Sequence, residues 1–155
     1  MTAPAATDDF QPVSRFFPSQ GLDLHYLDWG NDGAPLLLLL HGSRDHARSW
    51  DWTARALRHR WHVIAPDLRG HGDSGWSHDG AYLTAWHALD STAFWRAISA
   101  PVLLMHGTEC WTTNPEEDGR AAHFRDRRTV VFEHAGHWIH HDRFDAFVAA
   151  LRDFL

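Results

Sequence analysis

From Ser14 onward, short apolar runs alternate with polar, glycine-rich stretches. Ser14–Pro18 and Leu22–Trp29 flank a turn at Gln20-Gly21 and predict a hairpin. In its second arm Leu22, Leu24 and Tyr26 alternate with Asp23 and His25, the period-two pattern of a half-buried strand. Asn31-Asp32-Gly33 then turns the chain into Pro35–His41, whose leucines at 36, 37, 38, 39 and 40 follow one another without alternation. Such a run predicts a central parallel strand covered on both faces. A helix is predicted over 49–59, with Trp50, Ala54 and Leu57 on one face, and a further short strand over 61–66. Residues 67–80 carry Gly70, Gly72, Gly75 and Gly80 and read as loop.

Leu83–Ile98 has the length of a helix, with Asp90-Ser91 as a break and Ser91 as a cap for the second piece. Pro101–His106 is another apolar, parallel-type strand. Asn114-Pro115-Glu116-Glu117 has the form of a helix start: a capping amide, proline at the first position and acids in the first turn. Thr129–Glu133 predicts a strand. Phe144, Phe147, Val148, Leu151, Phe154 and Leu155 then make the apolar stripe of a closing helix. Strands alternating with helices mean an α/β fold: a mainly parallel sheet with an N-terminal antiparallel hairpin and helices on both faces. Residues 1–13 are small, polar and proline-punctuated, a flexible N-terminus. Residues 14–155 are expected to form one domain, in an N-terminal half (14–82), a junction helix (83–100) and a C-terminal half (101–155).

Composition narrows the function classes. The chain has 155 residues, 44% hydrophobic and 22% charged, a balance suited to one globular domain. A net charge of −6 without a basic cluster argues against nucleic acid as a partner. Cys110 stands alone, which excludes an intrachain disulfide and a thiolate zinc cluster and fits a reducing compartment. No apolar run is long enough to span a bilayer. Met1–Ala5 carries neither the basic nor the apolar region of a secretory leader. A cytoplasmic location is the expectation.

Several motifs stand in a recognisable order. Leu36–Leu40 runs into His41-Gly42, and Asp67-Leu68-Arg69-Gly70-His71-Gly72-Asp73-Ser74 follows; later come Val102–Met105 with His106-Gly107, then Gly136-His137. This set resembles the α/β-hydrolase superfamily, of esterase and lipase type. The resemblance covers 21–80 as the family's first half and 101–155 as its last third. The Gly-x-Ser-x-Gly turn that carries the family's nucleophile is absent. The nearest pattern, Gly72-Asp73-Ser74-Gly75, places its second glycine one residue early. Between Tyr82 and Pro101 one helix-length segment stands where the family has the elbow, its strands and a cap, as expected of an internal truncation. The Leu36 and Pro101 strands are then expected to pair directly.

The resemblance implies hydrolysis of a carboxylic ester, with no cofactor and no metal, through nucleophile, base, orienting acid and oxyanion donors. It makes His137 the base. The orienting acid would stand at Cys110, where a thiol replaces it; Glu109 and Asp118 are the nearby carboxylates. The Ser43 backbone N–H matches one oxyanion donor, and the second, which follows the family's nucleophile, is missing. Ser43, Ser74 and Cys110 are the candidate replacement nucleophiles. The bland readings are a turn-forming hydroxyl, a loop-bracing hydroxyl and a small neutral filler; for Cys110 the alternative is a thiolate pair with His137. At most weak esterase activity is expected.

Two rival readings remain. His41-x-Ser43-x-Asp45-His46 approximates a zinc motif but has serine where the middle histidine belongs; His134, His137, His140 and His141 have helix-like spacing, interrupted by Gly136. The other rival is a non-catalytic remnant that binds apolar ligands or forms a homodimer through an exposed sheet edge or aromatic surface, which nine tryptophans would supply.

Overall fold

The structure, a computed structural model, describes residues 9–77 and 92–155. The chain divides into two compact units, one spanning Ala3–Ala88 and the other Leu89–Leu155. The boundary falls inside the segment that separates the two motif-bearing halves.

In the N-terminal unit, β1 (Val13–Ser19) and β2 (Leu22–Asp28) form the predicted antiparallel hairpin. Gln20 and Gly21 take positive φ of 51° and 77°, as a tight two-residue hairpin turn requires. β2 also pairs antiparallel with β4 (His62–Pro66), and β4 pairs parallel with β3 (Leu36–Leu38), giving the order β1-β2-β4-β3. A 3-10 turn (Ala47–Trp50) leads into α1 (Asp51–Leu57), where a helix is predicted over 49–59. Its buried Thr53, Ala54 and Leu57 share the core of this unit with Leu27, Trp29, Val63 and Ala65.

Two sequence expectations are corrected in this unit. Among the described residues β3 is an edge strand rather than a central covered one: Leu36, Leu38 and Leu40 are 65%, 51% and 53% exposed. In β2 the buried positions are His25, Leu27 and, just beyond, Trp29, not Leu22, Leu24 and Tyr26. A strand's two faces differ by one residue of register, and here the large Trp29 side chain sets which face turns inward. Leu22 and Leu24 instead line a groove of about 300 Å³ with Phe17 and Leu68.

In the C-terminal unit, β5 (Val102–Gly107) pairs parallel with β6 (Arg127–Phe132), and helices α2 (Thr92–Ala97), α3 (Ile139–Asp142) and α4 (Phe144–Phe154) complete it. The part of the predicted 83–98 helix before Thr92, including Ser91, lies outside the described residues. α4 follows the predicted stripe and buries Phe147 and Val148. The helix expected at Asn114 is a single turn. The Asn114 side chain does accept the Glu116 N–H, at 3.1 Å. Gly119, at φ 84°, then reverses the backbone before a second turn can form.

Among the described residues the expected pairing of the Leu36 and Pro101 strands does not appear in the hydrogen-bonded sheets. The hydrogen-bonded neighbour of β3 is β4 and that of β5 is β6, in separate sheets. Each strand pairs with the one following it in sequence, the commoner and entropically cheaper arrangement. Among the described residues no helix is long and apolar enough to cross a membrane.

Candidate functional site

The C-terminal unit builds its candidate site where the end of β5 meets the turn after β6. Gly107 makes the approach possible, because a Cβ there would fall on the carbonyl oxygens of Ala135 and Gly136. Three hydrogen bonds fix the turn. Glu109 N–H donates to Ala135 O at 2.9 Å, His134 N–H to Thr108 Oγ1 at 3.0 Å, and Gly136 N–H to Asp142 Oδ2 at 2.8 Å. His134 adopts a left-handed φ of 55° to complete the bend. A Gly107→Ala substitution is expected to force this turn off the strand end and cost about 1–3 kcal/mol. Urea denaturation measures this cost, and an unchanged midpoint would contradict the packing described.

Cys110 and His137 are brought together by that closure, with Cys110 Sγ 3.4 Å from His137 Nδ1. Thr112 supports the sulfur through its hydroxyl at 3.1 Å and its backbone N–H at 3.5 Å. Trp111 stacks on the imidazole with ring centroids 4.2 Å apart, and Trp138 meets it edge-on. The ring is thereby held in plane by aromatic contact rather than by a carboxylate. A pocket of about 310 Å³ adjoins the pair, with Trp95, Leu104, Phe124 and Ile139 among its apolar walls and Cys110, His106, Arg120 and His137 among its polar ones.

Neither carboxylate candidate reaches His137 by hydrogen bond in this arrangement. Glu109 faces His134, with Oε1 3.3 Å from its Nδ1. Asp118 accepts from Arg120 Nε at 2.7 Å and from the Arg120 backbone N–H at 3.1 Å. That backbone donor, with the guanidinium, holds the Asp118 carboxyl below its ordinary value. His137 Nδ1 faces the Cys110 sulfur instead.

Ser43 and Ser74 lie in the N-terminal unit. Ser43 is exposed in the turn after Gly42. Ser74 is 3% exposed and fully engaged: its hydroxyl donates to Asp67 O at 2.7 Å and accepts the His25 N–H at 2.9 Å. That is the geometry of a loop brace. Asp67 is the centre of this loop. Its Oδ1 accepts the Ala47 N–H at 2.6 Å, and its Oδ2 accepts the Asp73 N–H at 3.1 Å and His25 Nδ1–H at 2.6 Å. Burial pushes the Asp67 carboxyl up, but these donors together outweigh it and hold the group below its ordinary value. Gly72, at φ 49°, is required here because a Cβ would collide with the Asp67 carboxyl.

His25 continues the network, its Nε2 lying 2.7 Å from Ser14 Oγ. Sequence reading missed this chain. The alternation of β2 put His25 on the outward face with Asp23, whereas the fold buries it to 2% exposure. The one available signal was the pairing of a histidine in the hairpin with the aspartate of the glycine loop.

For metals, the donor atoms of His25, Asp67 and Asp73 lie within 4.8 Å of one another, the one such group among the described residues. Asp67 is already saturated by N–H donors, which a cation would have to displace. The histidines of the C-terminal tail form no such group among the described residues.

Comparison with known proteins agrees with the motif order. No protein-family model matches the chain. Over 56 residues it is 41% identical to epoxide hydrolase 3 of Mus musculus, covering 36% of this chain and 15% of that protein. Over 64 residues it is 39% identical to epoxide hydrolase A of Mycobacterium tuberculosis, covering 41% and 20%. An esterase of the same bacterium is 41% identical over 56 residues, 36% of this chain and 18% of the esterase. The chain therefore spans about a fifth or less of the length of these curated relatives. Among solved structures, the 2-hydroxy-6-oxo-6-phenylhexa-2,4-dienoate hydrolase of Rhodococcus superposes with a TM-score of 0.78 at 14% identity, covering 92% of this chain and 98% of that one. A hydrolase of Pseudomonas aeruginosa gives 0.79 at 16%, covering 91% and 97%. The local sequence matches are to hydrolases, and the chain has the fold of the α/β-hydrolase structures. It carries a hydrolase scaffold.

Proposed function

We propose that this scaffold hydrolyses small activated carboxylic esters slowly, with Cys110 as nucleophile and His137 as base. The observation that carries the reading is the 3.4 Å separation of Cys110 Sγ and His137 Nδ1 beside an apolar-walled pocket. The thiol proton passes to His137, and the sulfur attacks the acyl carbonyl. The alkoxide leaves with the proton from the imidazolium, giving a thioester on Cys110. Water, deprotonated by His137, then releases the carboxylate and restores the thiol. The rate is expected to be low because, among the described residues, no carboxylate is hydrogen-bonded to the ring to orient it and stabilise its protonated form.

The test compares p-nitrophenyl acetate hydrolysis by the protein, by His137→Ala and by free imidazole at equal concentration. A rate above imidazole that disappears in the variant supports the reading; equal rates for protein and variant overturn it. An aryl epoxide belongs in the same assay, since two of the relatives compared are epoxide hydrolases.

A second reading, a non-catalytic module that self-associates or holds an apolar ligand, draws support from the exposed leucines of edge strand β3. An unpaired apolar edge is a template for another strand. On that reading, sedimentation shows a concentration-dependent dimer that Leu38→Lys disperses; a monomer at all concentrations removes it.

A further inference from the structure

Ser14, His25 and Asp67 form a continuous relay in the N-terminal unit, made of parts the proposed esterase site does not use. Asp67 Oδ2 is 2.6 Å from His25 Nδ1, and His25 Nε2 is 2.7 Å from Ser14 Oγ. With His25 neutral, the direction of each bond follows. Asp67 as a carboxylate only accepts, so the neutral ring places its one proton on Nδ1 and offers Nε2 as an acceptor. Ser14 must then donate its hydroxyl proton to Nε2, which is the polarity a general base needs to activate a serine. Such a constellation is recognised by geometry and roles, not by place in the sequence.

Burial is graded in the useful sense. His25 and Asp67 are 2% and 4% exposed, so water does not compete for their bond. Ser14 is exposed on β1, the outer strand of the sheet, where a reagent can reach it. The base is rigid: Asp67 is clamped by the Ala47 and Asp73 N–H groups, and the Phe16 ring lies against the His25 ring at 5.1 Å. Phe16 is itself 57% exposed, an apolar surface beside the hydroxyl for a small acyl or aryl group.

We propose that Ser14, His25 and Asp67 constitute a second nucleophilic site, one that accepts an acyl group from small activated esters. Ser14 Oγ attacks the ester carbonyl as its proton moves to His25 Nε2. The bond to the leaving oxygen breaks, the phenol or alcohol departs with that proton, and the acyl group remains as an ester on Ser14. The acyl-serine is an alkyl ester with a poorer leaving group than the aryl ester that formed it, so its hydrolysis by water is the slower step and the acyl-serine accumulates.

The experiment treats the full chain and Cys110→Ala with p-nitrophenyl acetate and locates acetylated serines by peptide mass spectrometry over time. Cys110→Ala removes the other proposed acceptor, so failure of one site is distinguishable from failure of the other. In both proteins Ser14 is expected to acetylate about 100-fold faster than exposed Ser43, the lower end of what a positioned base supplies. His25→Gln, verified as folded by circular dichroism, is expected to erase that difference. Equal rates at Ser14 and Ser43 in the parent protein overturn the proposal, whether or not the His25 variant folds. So does a folded His25→Gln that acetylates Ser14 as fast as the parent.

Discussion

Cys110→Ala and His137→Ala are each expected to bring turnover of p-nitrophenyl acetate down to that of free imidazole. A positioned base contributes roughly 100- to 10,000-fold, and a nucleophile and base that act as a unit are lost together when either is removed. The double variant is therefore expected to be no worse than either single one. Iodoacetamide supplies an independent reading. With the sulfur 3.4 Å from the imidazole, alkylation of Cys110 is expected to slow in His137→Ala even if no ester is turned over. Cys110→Ser puts a hydroxyl in place of the more nucleophilic sulfur, and should retain little activity. Full activity in Cys110→Ala would remove the thiol from the mechanism and leave His137 acting alone or through water.

The largest effect on stability is expected at Asp67. Truncation to alanine would strand the Ala47 and Asp73 N–H groups and the His25 Nδ1–H in a buried site. Breaking a buried, hydrogen-bonded carboxylate pair from one side typically costs about 3–5 kcal/mol. Asp67→Asn retains the shape but points an amide N–H₂ at a donor, and should recover only part of that loss. The pH dependence follows from the lowered carboxyl value of Asp67. Because the folded value lies below the unfolded one, the stabilisation is fully present above the ordinary carboxylate range, near pH 4. It is lost as pH falls through the folded value. Parent and Asp67→Ala are thus expected to differ most near neutrality and to converge in acid. Urea denaturation across that range measures the difference, and a gap below about 1 kcal/mol at pH 7 would contradict the network.

Much of the architecture was legible because periodicity reports burial directly. The hairpin, the strand over 61–66 and the closing helix all stand where apolar spacing put them. The motifs led to the fold, and the glycines in them have visible causes: Gly72 clears the Asp67 carboxyl and Gly107 admits the histidine turn. Periodicity could not say which face of β2 turns inward. A one-residue shift exchanges the two faces, and the choice depends on where Trp29 and the partners of His25 lie in space.

What the sequence determined by itself, then, is local: element types, the order of the motifs, and the absence of a Gly-x-Ser-x-Gly turn from these 155 residues. Only the tertiary structure decided that β3 is an edge with exposed leucines. It alone set Cys110 against His137 across 27 positions and carried a hydroxyl–imidazole–carboxylate relay from Ser14 to Asp67. The physical reason is that hydrophobic patterning acts through neighbours along the chain. Strand partners and hydrogen-bonded side chains are chosen by contacts whose sequence separation leaves no periodic trace.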